Sequence, residues 1–275
     1  MPTEIELKLA LDLRDVPLLR KSPTLNRVGL GKATRKRIVT TYYDTPSLSL
    51  LHNAVALRVR KVGHDHVQSI KVDRANGSYP AERAEFENPI PSDRPDLQCI
   101  EDRSIRRLVE GSRRGKRLRP VFSTNVMRET RLLKFAGNEI ECAIDRGFVA
   151  GRGKKAPICE LELELRSGEA ASLIQLARRL NANIPLRIEP KSKATRGYAL
   201  VTGAQLAAPK AKPIQLDAAM SAWNCLNTII DACTAHVVAA ADYAFKSEDP
   251  EGVHQLRVAI RRMRAVLLDH SELCG

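Results

Sequence analysis

Charged residues alternate with apolar ones in several short runs of this sequence. Near the start, Glu4, Glu6 and Lys8 alternate with Ile5 and Leu7. Because side chains two positions apart on a strand point to the same side, about 6.5–7 Å apart, this run predicts a strand with one wholly charged face. The same alternation recurs in runs that carry Arg58 and Arg60, then Arg83, Glu85 and Glu87, then Glu141 and Asp145, and finally Glu160, Glu162 and Glu164.

The signs of these charges are sorted by strand. One such strand is typical of a sheet with a solvated face, but a solvated face usually mixes signs so that neighbours pair. The carboxylates of Glu160, Glu162 and Glu164 repel one another unless a cation lies among them, and oxygen ligands suit Mg²⁺ or Mn²⁺. Arg58 and Arg60 instead suit an oxyanion with several charges, such as a chain of phosphates. The set therefore indicates a site for a metal ion together with a polyphosphate.

The surrounding sequence predicts the elements that hold these faces. Period-two patterns predict about eight strands, at residues 4–11, 35–43, 54–61, 67–72, 83–87, 124–130, 139–145 and 159–165. Helical patterns at 100–109 and 170–180 interrupt them. Eight strands can close into a barrel, which would place acids and bases on opposite walls of one tunnel and leave the apolar faces outside. The predicted fold class is α+β: an eight-stranded antiparallel closed β-barrel with covering helices, followed by an α-helical hairpin.

The chain divides into three predicted segments. Residues 1–202 hold the tunnel domain, and residues 203–217, rich in Ala, Pro and Lys, are predicted to be a linker. Residues 218–275 change to a helical period and predict two antiparallel helices at 220–245 and 253–273.

The composition narrows the function classes. A formal net charge of +13 indicates an anionic partner, but only 4% of the residues are aromatic, so few can stack nucleic-acid bases. The six cysteines have no metal-ligand spacing, which favours a reduced, cytoplasmic protein. The charged strand begins at Glu4 and leaves no room for a signal peptide, and no apolar run is long enough to span a membrane.

Taken in order, the charged motifs resemble the CYTH family, the triphosphate tunnel metalloenzymes. The resemblance covers roughly residues 2–201 and begins with the family's ExExK motif at Glu4, Glu6 and Lys8. That motif alone is weak, and the ordered set makes the resemblance specific. The further matching positions are the YYDT run at 42–45, the LRxR strand at 57–60, Lys71, the RxExE strand at 83–87, Arg128 after Thr124, Asp145, the ExExE strand at 160–164 and the SKxxRGY ending at 192–198.

The resemblance implies a role for each charged position. The implied ligands of one or two Mg²⁺ or Mn²⁺ ions are Glu4, Glu6, Asp145, Glu160, Glu162 and Glu164. The implied triphosphate-binding residues are Lys8, Arg58, Arg60, Lys71, Arg128 and Lys193, with Arg35, Arg37, Arg83 and Arg196 either assisting them or pairing with tunnel carboxylates. The implied catalytic residues are Lys8 and Lys193 of the basic wall, and Glu85 and Glu87, which orient water or lie in a second metal shell.

The last helical segment carries a basic face beside an apolar stripe. Such a face is most often simply solvated. However, the pattern HxxRVxxRRxR is similar to the opening of a CHAD domain, a helical module implicated in polyphosphate binding, of which this chain holds only the first two helices. The resemblance implies polyphosphate binding by His254, Arg257, Arg261, Arg262 and Arg264.

The leading hypothesis is a divalent-metal-dependent inorganic triphosphatase that converts tripolyphosphate to pyrophosphate and phosphate. Thiamine triphosphatase and class IV adenylate cyclase activities occur on similar barrels and stay open as alternatives, and each would need a pocket for an organic group beside the tunnel. A non-catalytic polyphosphate-binding protein is a hypothesis of another class, and the double set of carboxylates argues against it. A nucleic-acid-binding protein rests on net charge alone. The sequence leaves oligomerisation open.

Overall fold

A computed structural model describes residues 3–72, 81–205 and 207–269. The chain forms two compact units. Of the described residues, the first unit comprises 3–72 and 82–204, and the second contains 207–269. The predicted boundaries at 202 and 217 remain predictions.

The first unit is built on one antiparallel sheet. Its strands are β1 (Thr3–Ala10), β2 (Gly29–Asp44), β3 (Val55–Val62), β4 (Asp65–Val72), β5 (Ala81–Ile90), β6 (Arg119–Phe135), β7 (Asn138–Gly151), β8 (Lys154–Ser167) and β9 (Arg187–Ile188). The strand order is β5-β4-β3-β2-β6-β7-β8-β1-β9, and β5 makes an additional pairing with β1 outside this order.

The predicted α+β class with an antiparallel sheet is confirmed, but the eight-stranded closed barrel is wrong as stated. The described residues form a nine-stranded sheet, which is not the continuous hydrogen-bonded ring of eight strands that the pattern predicted. The unexpected strand is β9, a two-residue segment that pairs with β1 through Leu9 and Ile188. Two residues are too few to show a period, so no alternation in the sequence predicts this strand.

Six α-helices accompany the sheet in the described part of the first unit. They are α1 (Val16–Arg20), α2 (Pro23–Val28), α3 (Ser49–His52), α4 (Arg103–Arg113), α5 (Ala171–Asn181) and α6 (Lys193–Thr202). The predicted helices at 100–109 and 170–180 correspond to α4 and α5. α4 begins later than predicted because the Asp102 carboxylate accepts hydrogen bonds from the backbone N–H groups of Ser104 and Ile105 and caps the helix there.

Helices cover the apolar faces of the strands, and the charged faces lie on the other side of the sheet. Leu161 and Leu163 of β8 are fully buried against Leu173 and Leu176 of α5. A second cluster packs β3 and β4 against α3 and α4, with Leu50, Leu57, Ile70 and Val109 at its centre. Because side chains alternate along a strand, burying these positions leaves the residues between them on the opposite face of the sheet.

A third cluster lies on the charged side of the sheet, where α6 packs. The ring of Tyr42 stacks on that of Phe122 at a centroid distance of 4.4 Å, and Phe122 meets Tyr198 of α6 edge-on at 5.0 Å. Aromatic packing of this kind fixes the position of a helix on a sheet. α6 and this cluster therefore fill one end of the space that the sheet faces.

The second unit contains the predicted antiparallel helices. They are α7 (Ala222–Lys246) and α8 (Pro250–Asp269). Ser221 caps α7 by accepting from the backbone N–H of Asn224, and the Tyr243 hydroxyl donates to Asp249 at 3.0 Å across the turn. The predicted residues 270–273 of the second helix lie outside the described residues. Across the described residues, no helix has the length and apolarity needed to cross a bilayer.

Candidate functional site

A charged cavity of about 190 Å³ lies on the inner side of the sheet. It is lined by side chains from β1 to β8 and by the first turn of α6. Its acidic residues are Glu4, Glu6, Glu85, Glu87, Glu141, Asp145, Glu162 and Glu164, and its basic residues are Lys8, Arg58, Arg60, Lys71, Arg128, Arg166 and Lys193.

Antiparallel register brings these residues to one face. Directly paired residues of an antiparallel ladder lie on the same side of the sheet, and Lys8 pairs with Glu162 across β1 and β8. Arg128 of β6 likewise pairs with Asp145 of β7, which pairs in turn with Glu160 of β8. Most of the bases lie on β3, β4 and β6, and most of the acids lie on β5, β7, β8 and β1, so bases and acids meet where these strands adjoin.

The tightest acidic group consists of Asp145, Glu160 and Glu162, here called the carboxylate triad. One oxygen from each lies within 4.8 Å of the others, and the three residues are between 0% and 9% exposed. Three clustered carboxylate oxygens are the hard donor set that Mg²⁺ and Mn²⁺ prefer. The triad therefore fits a divalent ion in both its spacing and its chemistry.

Basic side chains neutralise the triad in this structure. The Lys193 ammonium lies 2.6 Å from Asp145 Oδ2 and 2.9 Å from Glu162 Oε1, and it also contacts Glu160. Arg128 donates to Asp145 and Glu162 at 2.6 Å and 2.5 Å, while Arg196 pairs with Glu160. A divalent ion would take the place that these cations hold among the carboxylates.

The ion pairs set the protonation state of the triad. Burial alone would raise the pKa of Glu162, but Lys193, Arg128 and Lys8 outweigh it and hold that pKa well below its usual range. Burial likewise opposes ionisation of Asp145, and Lys193 and Arg128 again leave the pKa lowered. Both groups are therefore carboxylates at neutral pH.

A second group of charges links β1, β4 and β5. Lys71 Nζ lies 2.7 Å from Glu4 Oε2 and 2.8 Å from Glu85 Oε2, and Arg58 Nη2 lies 2.6 Å from Glu85 Oε1. Burial raises the pKa of Glu4 to about 7 although Lys71 opposes it, whereas Arg58 and Lys71 overcome burial and lower the pKa of Glu85. Two neighbouring carboxyls thus have pKa values pushed in opposite directions.

Every base that lines the cavity has a carboxylate partner. Arg60 approaches Glu87 at 3.7 Å, Arg166 contacts Glu164 at 2.7 Å, and Lys8 pairs with Glu6. Among the bases that line the cavity, one donor is left over: Arg58 Nε is buried with no hydrogen-bond partner in the described part of the chain. Buried polar groups are nearly always satisfied, so this nitrogen fits an acceptor supplied by a ligand.

Most of the predicted site residues come together here. Those that line the cavity are Glu4, Glu6, Lys8, Arg58, Arg60, Lys71, Glu85, Glu87, Arg128, Asp145, Glu162, Glu164 and Lys193. Glu160 and Arg196 adjoin it through the triad. Arg83 lies in β5, but its side chain is outside the described part of the chain. The roles assigned to all these residues remain predictions.

Arg35 and Arg37 need correction, because they lie on the opposite face of β2. The inward residue is Lys36, which pairs with Arg128, so its two neighbours point away from the cavity. Arg35 contacts Glu129 at 2.8 Å, and Arg37 donates to Asn125 Oδ1 at 3.1 Å. These contacts belong to the outer surface of the sheet.

The prediction omitted some residues that line the cavity. Glu141 lies there, and the recognised alternation of β7 included it but assigned it no role. Arg166 lies there too and continues the alternation of β8 beyond Glu164. Thr40 and Thr124 also line it, but a lone threonine on a strand gives no such signal.

Two residues of the recognised motifs, Asp44 and Tyr198, position the site without lining it. Asp44 is fully buried and accepts hydrogen bonds from the backbone N–H groups of Leu50 and Leu51 at 2.9 Å and 3.0 Å. It also accepts from the Tyr198 hydroxyl at 2.9 Å. Asp44 therefore ties α3 and α6 to the end of β2, and α6 carries Lys193 into the triad.

The basic residues of α8 are mostly on its exposed side. His254, Arg257, Arg261 and Arg264 are exposed, whereas Arg262 is half-buried and donates to the Lys212 carbonyl at 3.5 Å. The predicted apolar stripe is split, because Leu256 and Met263 are half-buried while Ile260 and Leu267 are exposed. The structure thus presents a cationic face on α8.

The fold and the cavity define a β-domain that holds a carboxylate cluster with the spacing of a metal site beside a group of basic side chains. Residues 2–198 match the model of the CYTH domain, and residues 228–269 match that of the CHAD domain. The chain belongs to the CYTH family and continues into a CHAD domain fragment, as the charged motifs predicted.

Known proteins with similar sequences or folds include a curated enzyme. The inorganic triphosphatase of Haemophilus influenzae is 30% identical over 205 residues, which are 73% of this chain and 55% of that protein. The chain thus spans about half the length of this relative. A Hippeastrum protein described as having a dominant triphosphatase activity is 19% identical, with a TM-score of 0.49 over 74% of this chain and 97% of its own. A Pyrococcus horikoshii protein is 17% identical, with a TM-score of 0.40 over 69% and 96% of the two chains.

Proposed function

We propose that this protein hydrolyses inorganic triphosphate to pyrophosphate and phosphate with the help of a divalent metal ion. The observation that carries the proposal is the buried carboxylate triad within direct contact of Arg128 and Lys193. A site that joins metal ligands to anion-binding bases suits a substrate that is itself a metal–polyphosphate complex. The similarity to the Haemophilus influenzae inorganic triphosphatase supports this substrate.

Asp145, Glu160 and Glu162 would hold the ion, with Glu4, Glu6 and Glu164 nearby on the same side of the sheet. Bound there, Mg²⁺ or Mn²⁺ supplies Lewis acidity and lowers the pKa of a coordinated water. We assign the triad the central part because its three residues are the most tightly clustered of the described carboxylates. Glu4, Glu6 and Glu164 are spread further along β1 and β8.

The bases would bind the phosphate chain and stabilise its charge. Arg58, Arg60, Lys71 and Arg128 line the basic side of the cavity, and Arg forks match phosphate oxygens in geometry. Lys8 and Lys193 can move between a carboxylate and a phosphate oxygen because both are ammonium groups with several freely rotating donors. Positioned cations of this kind stabilise the charge that develops on a leaving pyrophosphate.

Glu85 and Glu87 would orient the neighbouring side chains rather than ligate the metal ion. Glu85 holds both Arg58 and Lys71 in place, and Glu87 accepts from Ser69 at 2.8 Å. A carboxylate so placed sets the direction of the bases that face the substrate. We further propose that the strands enclose the cavity as a tunnel, which the additional pairing of β5 with β1 supports.

We extend the proposal to the second unit and to the cell. The exposed cationic face of α8 would bind long-chain polyphosphate through His254, Arg257, Arg261, Arg262 and Arg264. A reduced cytoplasmic location fits the free cysteines of the described chain, two of which are buried.

The test is phosphate release from tripolyphosphate by the full chain in Mg²⁺, in Mn²⁺ and in chelator. Metal-dependent turnover is expected, and exchange of the exposed Glu110 of α4 for Gln should leave it within twofold. If tripolyphosphate binds but is never hydrolysed in any metal, the non-catalytic polyphosphate-binding alternative replaces this proposal.

An apolar cavity favours a second candidate function. A space of about 270 Å³ is lined by Leu51, Val55, Tyr198 and Ala199, and it shares Ala56 and Ala194 with the charged cavity. It would suit the organic group of thiamine triphosphate or ATP, as in thiamine triphosphatase or class IV adenylate cyclase. If Ala199→Phe, which fills this space, lowers turnover of an organic triphosphate but not of tripolyphosphate, the second function gains support. Equal effects on both substrates count against it.

A further inference from the structure

Lys36 of β2 lies on the cavity side of the sheet although no sequence motif marks it. It is the direct antiparallel partner of Arg128, which lines the cavity. It is also two residues from Ile38, which lines the cavity from the same strand. Since side chains two apart on a strand share a face, Lys36 lies on the same face of the sheet as these two residues.

The position of Lys36 along the strands puts it towards the open end. The aromatic cluster of Tyr42, Phe122 and Tyr198 fills the end nearest α6. Going from Tyr42 along β2, the inward residues are Thr40, Ile38 and then Lys36. Lys36 is exposed, whereas Ile38 and Thr40 are buried. Along β2, the inward residues are therefore buried near the aromatic cluster and end in an exposed cation, Lys36, at the entrance.

Lys36 also differs from the bases inside in its pairing. Each of the seven bases that line the cavity contacts a carboxylate, as described above. Lys36 forms no ion pair within the described residues. A base that is already paired must leave its carboxylate before it can bind an anion, and that exchange costs part of the energy gained. Lys36 can bind an incoming phosphate without breaking a contact.

We propose that Lys36 binds the outermost phosphate of an inorganic polyphosphate chain and favours chains longer than triphosphate. The inference rests on the proposed function, since it takes the charged cavity as the polyphosphate site. The bases that line the cavity bind the phosphates that enter it. Towards the entrance, the cation on the inward face of β2 is Lys36. A fourth phosphate extends beyond the inner bases and reaches the entrance, so longer chains gain more from this lysine.

The experiment compares Lys36→Ala, Lys36→Arg and Arg37→Ala in the full chain. Arg37 is the matched control because it is the adjacent base on the same strand and points to the opposite face. Binding of tripolyphosphate and tetrapolyphosphate is measured by calorimetry in chelator, where the proposed function predicts no turnover. An exposed charge pair is worth up to about a fivefold change in affinity, so Lys36→Ala should raise Kd about twofold for tripolyphosphate and about fivefold for tetrapolyphosphate.

Lys36→Arg should bind both chains within about twofold of the unchanged protein because it keeps the charge. Arg37→Ala should do the same, and high salt should abolish the effect of Lys36→Ala because exposed charges are screened. Equal Kd values for Lys36→Ala and Arg37→Ala would overturn the inference alone. If the unchanged protein bound neither chain and released no phosphate with metal, the proposed function would fall as well.

Discussion

At the scale of single residues, the carboxylate triad and its cations form a balanced group. Asp145, Glu160 and Glu162 contact Lys193, and Arg128 and Arg196 complete the pairing. Removing one partner of a buried ion pair is strongly destabilising because it leaves a charge uncompensated. The triad therefore depends on Lys193 as long as no metal ion replaces its charge.

Lys193→Met should accordingly lower the free energy of unfolding in chelator by about 3 kcal/mol. The melting temperature should fall with it. Millimolar Mn²⁺ should restore most of it, because the ion compensates the same carboxylates. Thermal unfolding with and without Mn²⁺ measures both effects. Lys134→Met, at an exposed lysine of β6, should show neither. A loss of stability that Mn²⁺ does not reverse would contradict a metal site at the triad.

The sequence predicted most of these residues but not their pairing. Alternation identified the acidic face of β8 without further information. Three consecutive bases at 35, 36 and 37 were ambiguous, because either face of β2 could hold them. Only the register with β6, where Lys36 meets Arg128, decides that Lys36 points inward and that Arg35 and Arg37 do not.

At the scale of elements, the site depends most on α6. The periodic patterns of the sequence did not predict this helix. Its sequence contains Gly197 in the interior, which weakens the helical signal. The structure explains that glycine, since a Cβ there would collide with the ring of Phe122. That ring is held by its stack on Tyr42 at 4.4 Å, so it cannot move aside freely.

Gly197→Ala should therefore shift α6 and withdraw Lys193 from the triad. We expect phosphate release from tripolyphosphate to fall at least about tenfold, since a misplacement of about 1 Å can cost about a hundredfold in rate. Gly111→Ala in α4 is the matched control because a Cβ there meets nothing within 4 Å. Steady-state kinetics and circular dichroism measure the two variants. Unchanged kinetics in Gly197→Ala would show that α6 does not position the site.

At the scale of the whole molecule, the long strands were predictable and the arrangement of the sheet was not. Segments such as β1, β3 and β8 have strong alternation, and each predicted strand lies largely within an observed one. The two-residue β9 and the pairing of β5 with β1 depend on contacts between distant parts of the chain. No local period encodes such contacts, so the prediction of eight strands missed the ninth, β9.

If the cavity binds a metal ion and a polyphosphate as proposed, charge balance across it should link the two binding events. The cavity is lined by eight acidic and seven basic residues, so either ligand alone would upset a nearly neutral group. A bound cation would compensate the carboxylates and free their basic partners, and a bound polyanion would compensate the bases and free the carboxylates. We expect Mn²⁺ to bind at least about tenfold more tightly when a non-hydrolysable imidotriphosphate is present, a coupling within the ordinary range.

Calorimetric titration of Mn²⁺ with and without the imidotriphosphate measures this coupling, and by reciprocity the same factor must appear for the imidotriphosphate when Mn²⁺ is present. Glu110→Gln, on the surface of α4, should leave the coupling intact. Equal Mn²⁺ affinities in both titrations would mean that the ion pairs do not exchange partners.

The most direct test of the central claim is phosphate release from tripolyphosphate by Glu162→Gln beside the unchanged protein, across a titration of Mg²⁺ and Mn²⁺. Glu162 lines the cavity, belongs to the triad and contacts both Arg128 and Lys193. The account predicts metal-dependent turnover in the unchanged protein and a loss of at least about a hundredfold in the variant, in line with the loss of one essential charged group at an active site. Turnover that survives in Glu162→Gln, or that needs no metal, would contradict it.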